Sequence, residues 1–257
     1  MKKLKGFSST VGLIIVIVVA FVTITGIIVI NALNAVHYED YDSNSIITAS
    51  KDNGYIDDHV KGNPEAPVVI IEYADYQCPL CASANPKINQ AVEDSNGKLA
   101  VVYRNYILPY HYNGTAAASA AEAANLQGYW KPYADKLFLN QSEWEYASAS
   151  ERTIYFKKYF EEVTEGAGDM EKFEKDLSAR EISQKISFDM GLARRIDIPG
   201  TPALYVDGQY IDWTNSEGSS VTVDNNNTIG WDSAIVLDGL PGLLLKITEV
   251  KLGVDSL

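Results

Sequence analysis

Two cysteines, three histidines and three methionines are all that 257 residues contain. Both cysteines lie in one short stretch, Cys78-Pro79-Leu80-Cys81, so no thiol is left over for a structural disulfide elsewhere. The ring that this pair would close is too small to staple a fold. A four-ligand zinc site would need histidines or acids brought in from distant segments. The expectation is therefore no metal and no cofactor. Basic residues are also short, 21 Lys and Arg against 34 Asp and Glu, a net charge of −13. Binding to nucleic acid needs clustered Lys and Arg, so a nucleic-acid partner is excluded. No internal repeat is present.

Charge is missing altogether from Val11 to Ile30. Those 20 residues make about 30 Å of helix, enough to cross a bilayer. Lys2, Lys3 and Lys5 precede the run, and Glu39, Asp40 and Asp42 follow it. The positive-inside rule then puts residues 1–10 in the cytoplasm and everything beyond the span outside. A cleaved signal peptide is the alternative, but its apolar core is shorter and ends at a small-residue site. Leu33-Asn34-Ala35 fits such a site poorly, so the expectation is an uncleaved single-pass anchor over 11–30 in the cell membrane. Leaving out residues 1–30 removes three lysines and no acid, which moves the net charge from −13 to −16.

Residues 31–61 are polar and weakly periodic, and they read as an extracytoplasmic tether. His37 and His59 fall in it and read as solvated. A single domain over 62–257 follows, an ordinary length for one core. Val68 to Tyr73 is an apolar run of strand type, and Ala82 to Val92 has helical spacing. Lys98 to Tyr106, with the apolar Leu99–Tyr103 inside it, reads as a second strand. A long helical stretch over about 113–195 includes alanine-rich Ala116–Ala124 and the periodic Trp130–Leu139. Ala203–Asp207 reads as a strand, and Asp207-Gly208 as a turn into a hairpin strand at Gln209–Ile211. Residues 212–230 read as a polar loop, and Leu243–Leu252 as a closing amphipathic helix. The order predicts an α/β domain with a mixed sheet and an inserted helical subdomain.

The cysteine pair thus falls at a strand-to-helix turn. Pro79 suits the first helical position, where its missing N–H has no partner to lose. Cys78 then faces the unpaired N–H groups of the helix start, which favour its thiolate. Redox chemistry is the expected use, with Cys81 buried one turn further on. Glu72 is the other candidate: an acid inside Val-Val-Ile-Ile-Glu-Tyr either does chemistry, sits on an exposed face or is paired with a lysine. Asp75 reads as a turn residue, and His111 as a packed or solvated histidine.

Thr201-Pro202 immediately precedes the third strand, with Pro199 close by. Together with the upstream Cys-x-x-Cys it resembles the thioredoxin fold. The resemblance implies a cis-proline at Pro202, with Thr201 and Pro202 beside the cysteines and available to an extended substrate segment. Gly62-Asn63-Pro64-Glu65-Ala66-Pro67, Ala74-Asp75-Tyr76-Gln77-Cys78-Pro79-Leu80-Cys81 and Gly200-Thr201-Pro202-Ala203-Leu204-Tyr205-Val206-Asp207-Gly208 look like the DsbA family of thiol–disulfide oxidoreductases, in its membrane-anchored branch. Tyr103–His111 and the alanine-rich helix after it resemble the same branch. Over about residues 62–211, this likeness implies an enzyme that introduces disulfides into exported proteins carrying free thiols, with a membrane redox partner reoxidising its pair. Cys78 and Cys81 are then catalytic, Glu72 exchanges a proton with Cys81, and Pro79 and Leu80 join Thr201 and Pro202 in contacting substrate. A reductase or isomerase kept reduced by a membrane donor remains open, as does a membrane-tethered chaperone or binding module.

Overall fold

The computed structural model describes residues 9–33, 35–212, 221–223, 228–231 and 237–253. The chain divides into two compact units, residues 1–37 and 38–257. The first contains α1 (Ser9–Leu33), a 25-residue helix whose Gly12–Val29 stretch is apolar and long enough to cross a membrane, with none of it buried. Isoleucine and valine are mediocre helix formers in water. In lipid, the backbone groups of such a segment must be satisfied internally, and a helix does this.

In the second unit, β1 (His59–Gly62), β2 (Val68–Ala74), β3 (Leu99–Asn105), β4 (Ala203–Val206), β5 (Gln209–Asp212), β6 (Val221–Val223) and β7 (Thr228–Trp231) form one sheet in the order β1-β3-β2-β4-β5-β7-β6. Strands β2 and β3 run parallel in register Val68↔Leu99 to Ala74↔Asn105, joined by α2 (Pro79–Asp94). Strand β4 adds antiparallel to β2, with Tyr73 opposite Ala203. Six helices lie between β3 and β4: α3 (Gly114–Asn125), α4 (Trp130–Leu139), α5 (Gln141–Trp144), α6 (Ala149–Thr164), α7 (Met170–Asp176) and α8 (Arg180–Arg195). Helix α9 (Leu240–Lys251) packs against α2. The mixed α/β architecture is that of the expectation.

Two buried apolar clusters hold the sheet. One unites β2 and β3 with α2 and α9 through Ile70, Val101, Ile88, Leu243, Leu244 and Ile247. The other is aromatic and joins the redox turn to the helical insert through Tyr76, Tyr103, Trp130, Tyr133, Phe138 and Phe160. Fully burying an aliphatic or aromatic side chain is worth about 1.5–3 kcal/mol each, so these clusters supply the main attraction.

Two segments differ from their sequence reading. Residues 38–58, read as tether, are packed onto the domain. Arg104 reaches the carbonyls of Ser43 (2.6 Å) and Ser45 (2.7 Å) and the carboxylate of Asp58 (2.7 Å), and Ile47 and Ile56 are buried. Tyr38 lies over Gly191, where an added Cβ would come within 2.1 Å of its ring, so only glycine admits the contact. His59, read as solvated, is buried in β1, its Nε2 at 2.9 Å from both oxygens of Glu122 and its ring stacked on Trp130 at 4.5 Å. The insert covers this edge strand. The polar run over 212–230 also contains β6 and β7, short pieces rich in β-branched residues between asparagines. Residues 213–220, 224–227 and 232–236 lie outside the described residues.

A buried ionic cluster ties these parts together. Asp58 bonds Arg104 and Lys185, Lys185 bonds Asp189 (2.9 Å), and Asn105 bonds both Asp189 and Glu122. All of these side chains are buried. Burial opposes ionisation of Asp58, but Lys185 and Arg104 together hold its carboxyl below the usual range.

Candidate redox site

Strand β2 ends at Ala74, and Asp75 turns the chain into α2. The Asp75 carboxylate accepts from the backbone N–H of Gln77 (2.8 Å) and Leu108 (2.9 Å), and its carbonyl accepts from Cys78 N–H (3.0 Å). Asp75 is the turn residue expected, and it also holds the β3–α3 loop. His111 Nδ1 lies 2.7 Å from Asp75 Oδ2, which gives that histidine an ordered place beside the turn. Gln141, in α5, donates to the carbonyls of Tyr76 (2.7 Å) and Cys78 (3.1 Å). Gln77 bridges Glu145 O and Asn113 N–H, fixing the insert to the same turn. Asn113 spends its amide on Trp144, Glu145 and Ala147 carbonyls, so the Asn-Gly-Thr sequence at 113–115 is a structural device.

Cys78 is the N-cap of α2 and Pro79 its first residue. Both cysteines are free thiols, and both are buried, Cys78 at 6% exposure and Cys81 at 0%. Two neighbouring thiols in this setting divide the work. A hydrogen bond from Cys81 does most to lower the Cys78 thiol from an ordinary value near 9 to about 6. Burial opposes this, while the Thr201 side chain and the N–H groups of Cys81 and Leu80 add to it. Burial pushes the Cys81 thiol well up, and donation to Cys78 and the negative field of Glu72 push it further. At neutral pH Cys78 carries the charge and Cys81 keeps its proton.

The peptide bond Thr201–Pro202 is cis, as expected, and Pro199 lies outside it. When protonated, the Cys78 thiol donates to the Thr201 carbonyl, 3.4 Å from Sγ. The Thr201 hydroxyl is buried with no partner among the described residues, which leaves it to the Cys78 thiolate. Pro202 is buried, whereas Pro79 and Leu80, which follow Cys78 in the chain, are exposed. A cleft of about 600 Å³ lies along the Asp75-anchored loop, lined by Ile107, Leu108, His111, Tyr112, Ile186 and Met190 among others.

Glu72 is fully buried in β2 and paired with a lysine, which rules out an exposed face for it. The partner, Lys61 of β1, donates to Glu72 Oε2 at 2.8 Å and to Asn85 Oδ1 at 3.0 Å. Glu72 Oε1 has no partner among the described residues. Sequence reasoning missed Lys61, Asn85 and Gln141. A lysine in the supposed tether and two amides on helices carry no local signal of where they point. Among the described residues no group of side chains is arranged to hold a metal ion.

A family model described as Thioredoxin matches residues 55–225 of this chain. The chain belongs to the thioredoxin family. Its fold is the DsbA-like form of that family, a sheet with a helical insert between β3 and β4. It is similar to a thioredoxin-like oxidoreductase from Silicibacter pomeroyi at 27% identity and a TM-score of 0.50, over 63% of this chain and 88% of that one. Wolbachia pipientis alpha-DsbA1 shares the fold at 23% identity and a TM-score of 0.52, over 76% and 94% of the two chains. A stretch of 155 residues is also 31% identical to a Na(+)/H(+) antiporter NhaA 1 of Mycolicibacterium gilvum, over 59% of this chain. The chain spans about a quarter of the length of the curated relatives it matches, 24% in that case.

Proposed function

We infer that the protein is a thiol–disulfide oxidoreductase that introduces disulfides into exported proteins through Cys78 and Cys81. The division of the two thiols carries this reading. A substrate thiolate attacks Cys78 Sγ of the oxidised pair, the Cys78–Cys81 bond breaks, and Cys81 leaves as a thiolate that must take up a proton in a buried site. A second substrate thiolate then attacks the substrate sulfur of the mixed disulfide, and Cys78 departs. Its low proton affinity makes Cys78 a good leaving group and stabilises the reduced enzyme, which makes the oxidised form the stronger oxidant. Pro79 and Leu80 follow Cys78 in the chain and are exposed, and the Thr201 carbonyl lies at its sulfur, an arrangement that suits an extended polypeptide.

Glu72 serves as the proton partner of Cys81: its Oε1 is unclaimed, and its charge acts on that thiol. With α1 as a single-pass anchor and the acidic residues 39–42 after it, the domain works outside the cytoplasm, and a membrane redox partner reoxidises the pair. The test is oxidative refolding of a reduced, disulfide-containing protein by the purified full-length chain. The wild type should restore native disulfides and the Cys78→Ser variant should not. Equal rates for the two would sink the assignment.

A further inference from the structure

Lys61 is an ammonium with 2% of its side chain exposed, and such a group needs acceptors on every N–H it keeps. Glu72 Oε2 supplies one at 2.8 Å and Asn85 Oδ1 another at 3.0 Å, with the Tyr103 ring face 5.8 Å from Nζ. An asparagine amide has two orientations, and only one turns its oxygen to Lys61. What selects it is Asp135 on α4: its Oδ1 accepts from Asn85 Nδ2 at 2.7 Å and from Asn89 Nδ2 at 2.9 Å. Asp135 has 32% of its side chain exposed and is also paired with Lys131 at 3.0 Å. The bonded series therefore runs from the surface of the helical insert, through the helix that carries the cysteines, to the buried carboxylate beside Cys81.

We propose that Asp135 is a positioning residue that, by orienting Asn85, keeps Lys61 donating to Glu72 Oε2 and so supports the carboxylate that receives the Cys81 proton on its open Oε1. The inference rests on the reading of Glu72 given above. It assigns the insert a part in the chemistry. When a mixed disulfide on Cys78 is resolved from within, the Cys81 proton passes to Glu72. The Cys81 thiolate attacks Cys78 Sγ, the bond from Cys78 to the outer sulfur breaks, and the outer thiolate leaves. With Asp135 gone, Asn85 turns freely, its NH2 competes for the place facing Lys61, and the ammonium loses an acceptor. With that cation contact weakened the charged carboxylate loses support, and the Cys81 step slows.

The experiment uses the reduced full-length chain in detergent and 5,5′-dithiobis(2-nitrobenzoate). The first thionitrobenzoate released reports attack by Cys78, and the second reports attack by Cys81. The rate of the second release is followed against pH. Asp135→Ala and Asn85→Leu should both move its rising limb to higher pH by about half a unit to one unit, about three- to tenfold in rate at a fixed pH on the limb. Asp135→Asn, which keeps the shape with a neutral acceptor, should move it less and in the same direction, and it serves if the other variants fail to fold. The pH dependence of the first release should stay in place. If Glu72→Gln abolishes the limb but the Asp135 and Asn85 variants lower only thermal stability, the inference is overturned and Glu72 keeps its role. If Glu72→Gln leaves the limb where it was, the reading of Glu72 fails and the inference with it.

Discussion

At the scale of single residues, a thiol near 9 is mostly protonated at neutral pH, whereas Cys78, held at about 6, is about nine-tenths thiolate. Alkylation of the reduced protein should therefore titrate with a midpoint near pH 6 and modify Cys78 first, as read by mass spectrometry. Preferential labelling of Cys81 would reverse the assignment. Thr201 supplies part of this shift, so Thr201→Val should raise the midpoint by about half a unit to one unit. A lowered folded-state value also carries a sign. It stabilises the folded reduced protein fully above the unfolded thiol value of about 8.5, and this contribution is lost as pH falls through 6. Urea denaturation of the reduced chain between pH 8 and pH 5 should show that loss, and Cys78→Ala should flatten it.

At the scale of elements, the strands around the redox turn were legible because each is a short apolar or β-branched run bounded by turn residues. Val68–Tyr73 and Ala203–Asp207 became β2 and β4, and Cys78 took the N-cap of α2. The cis bond at Pro202 was legible only through the resemblance to the thioredoxin fold, since a proline before a strand can equally be a boundary residue. The 38–58 segment was not, because its attachments run through backbone carbonyls that grip a distant Arg104, and no hydrophobic period marks such bonds. Lys61 and His59 were hidden for the same reason: their burial is made by helices more than 20 residues away in sequence. Arg104 is thus the joint between this segment and the sheet. Arg104→Leu leaves the buried Asp58 with Lys185 as its one cation and should cost about 3–5 kcal/mol in urea denaturation. It should also expose the 38–58 segment to limited proteolysis, and a variant as stable as wild type would contradict the cluster's role.

At the scale of the whole molecule, the reading proposed above makes α1 an anchor and puts the domain outside the cytoplasm. A membrane-impermeant maleimide applied to intact cells should label Cys78 without lysis, and labelling that requires lysis would place the domain in the cytoplasm. The direction of electron flow is the central claim, and the reduction potential of the Cys78–Cys81 couple at pH 7 tests it most directly. It is obtained by equilibrating the full-length chain in glutathione buffers and counting alkylated thiols. The account predicts a potential less negative than about −200 mV, in the range of disulfide donors, with a steeper pH dependence below pH 6, where Cys78 also takes a proton on reduction. A potential near that of thioredoxin, about −270 mV, would contradict it and make the pair a reductant.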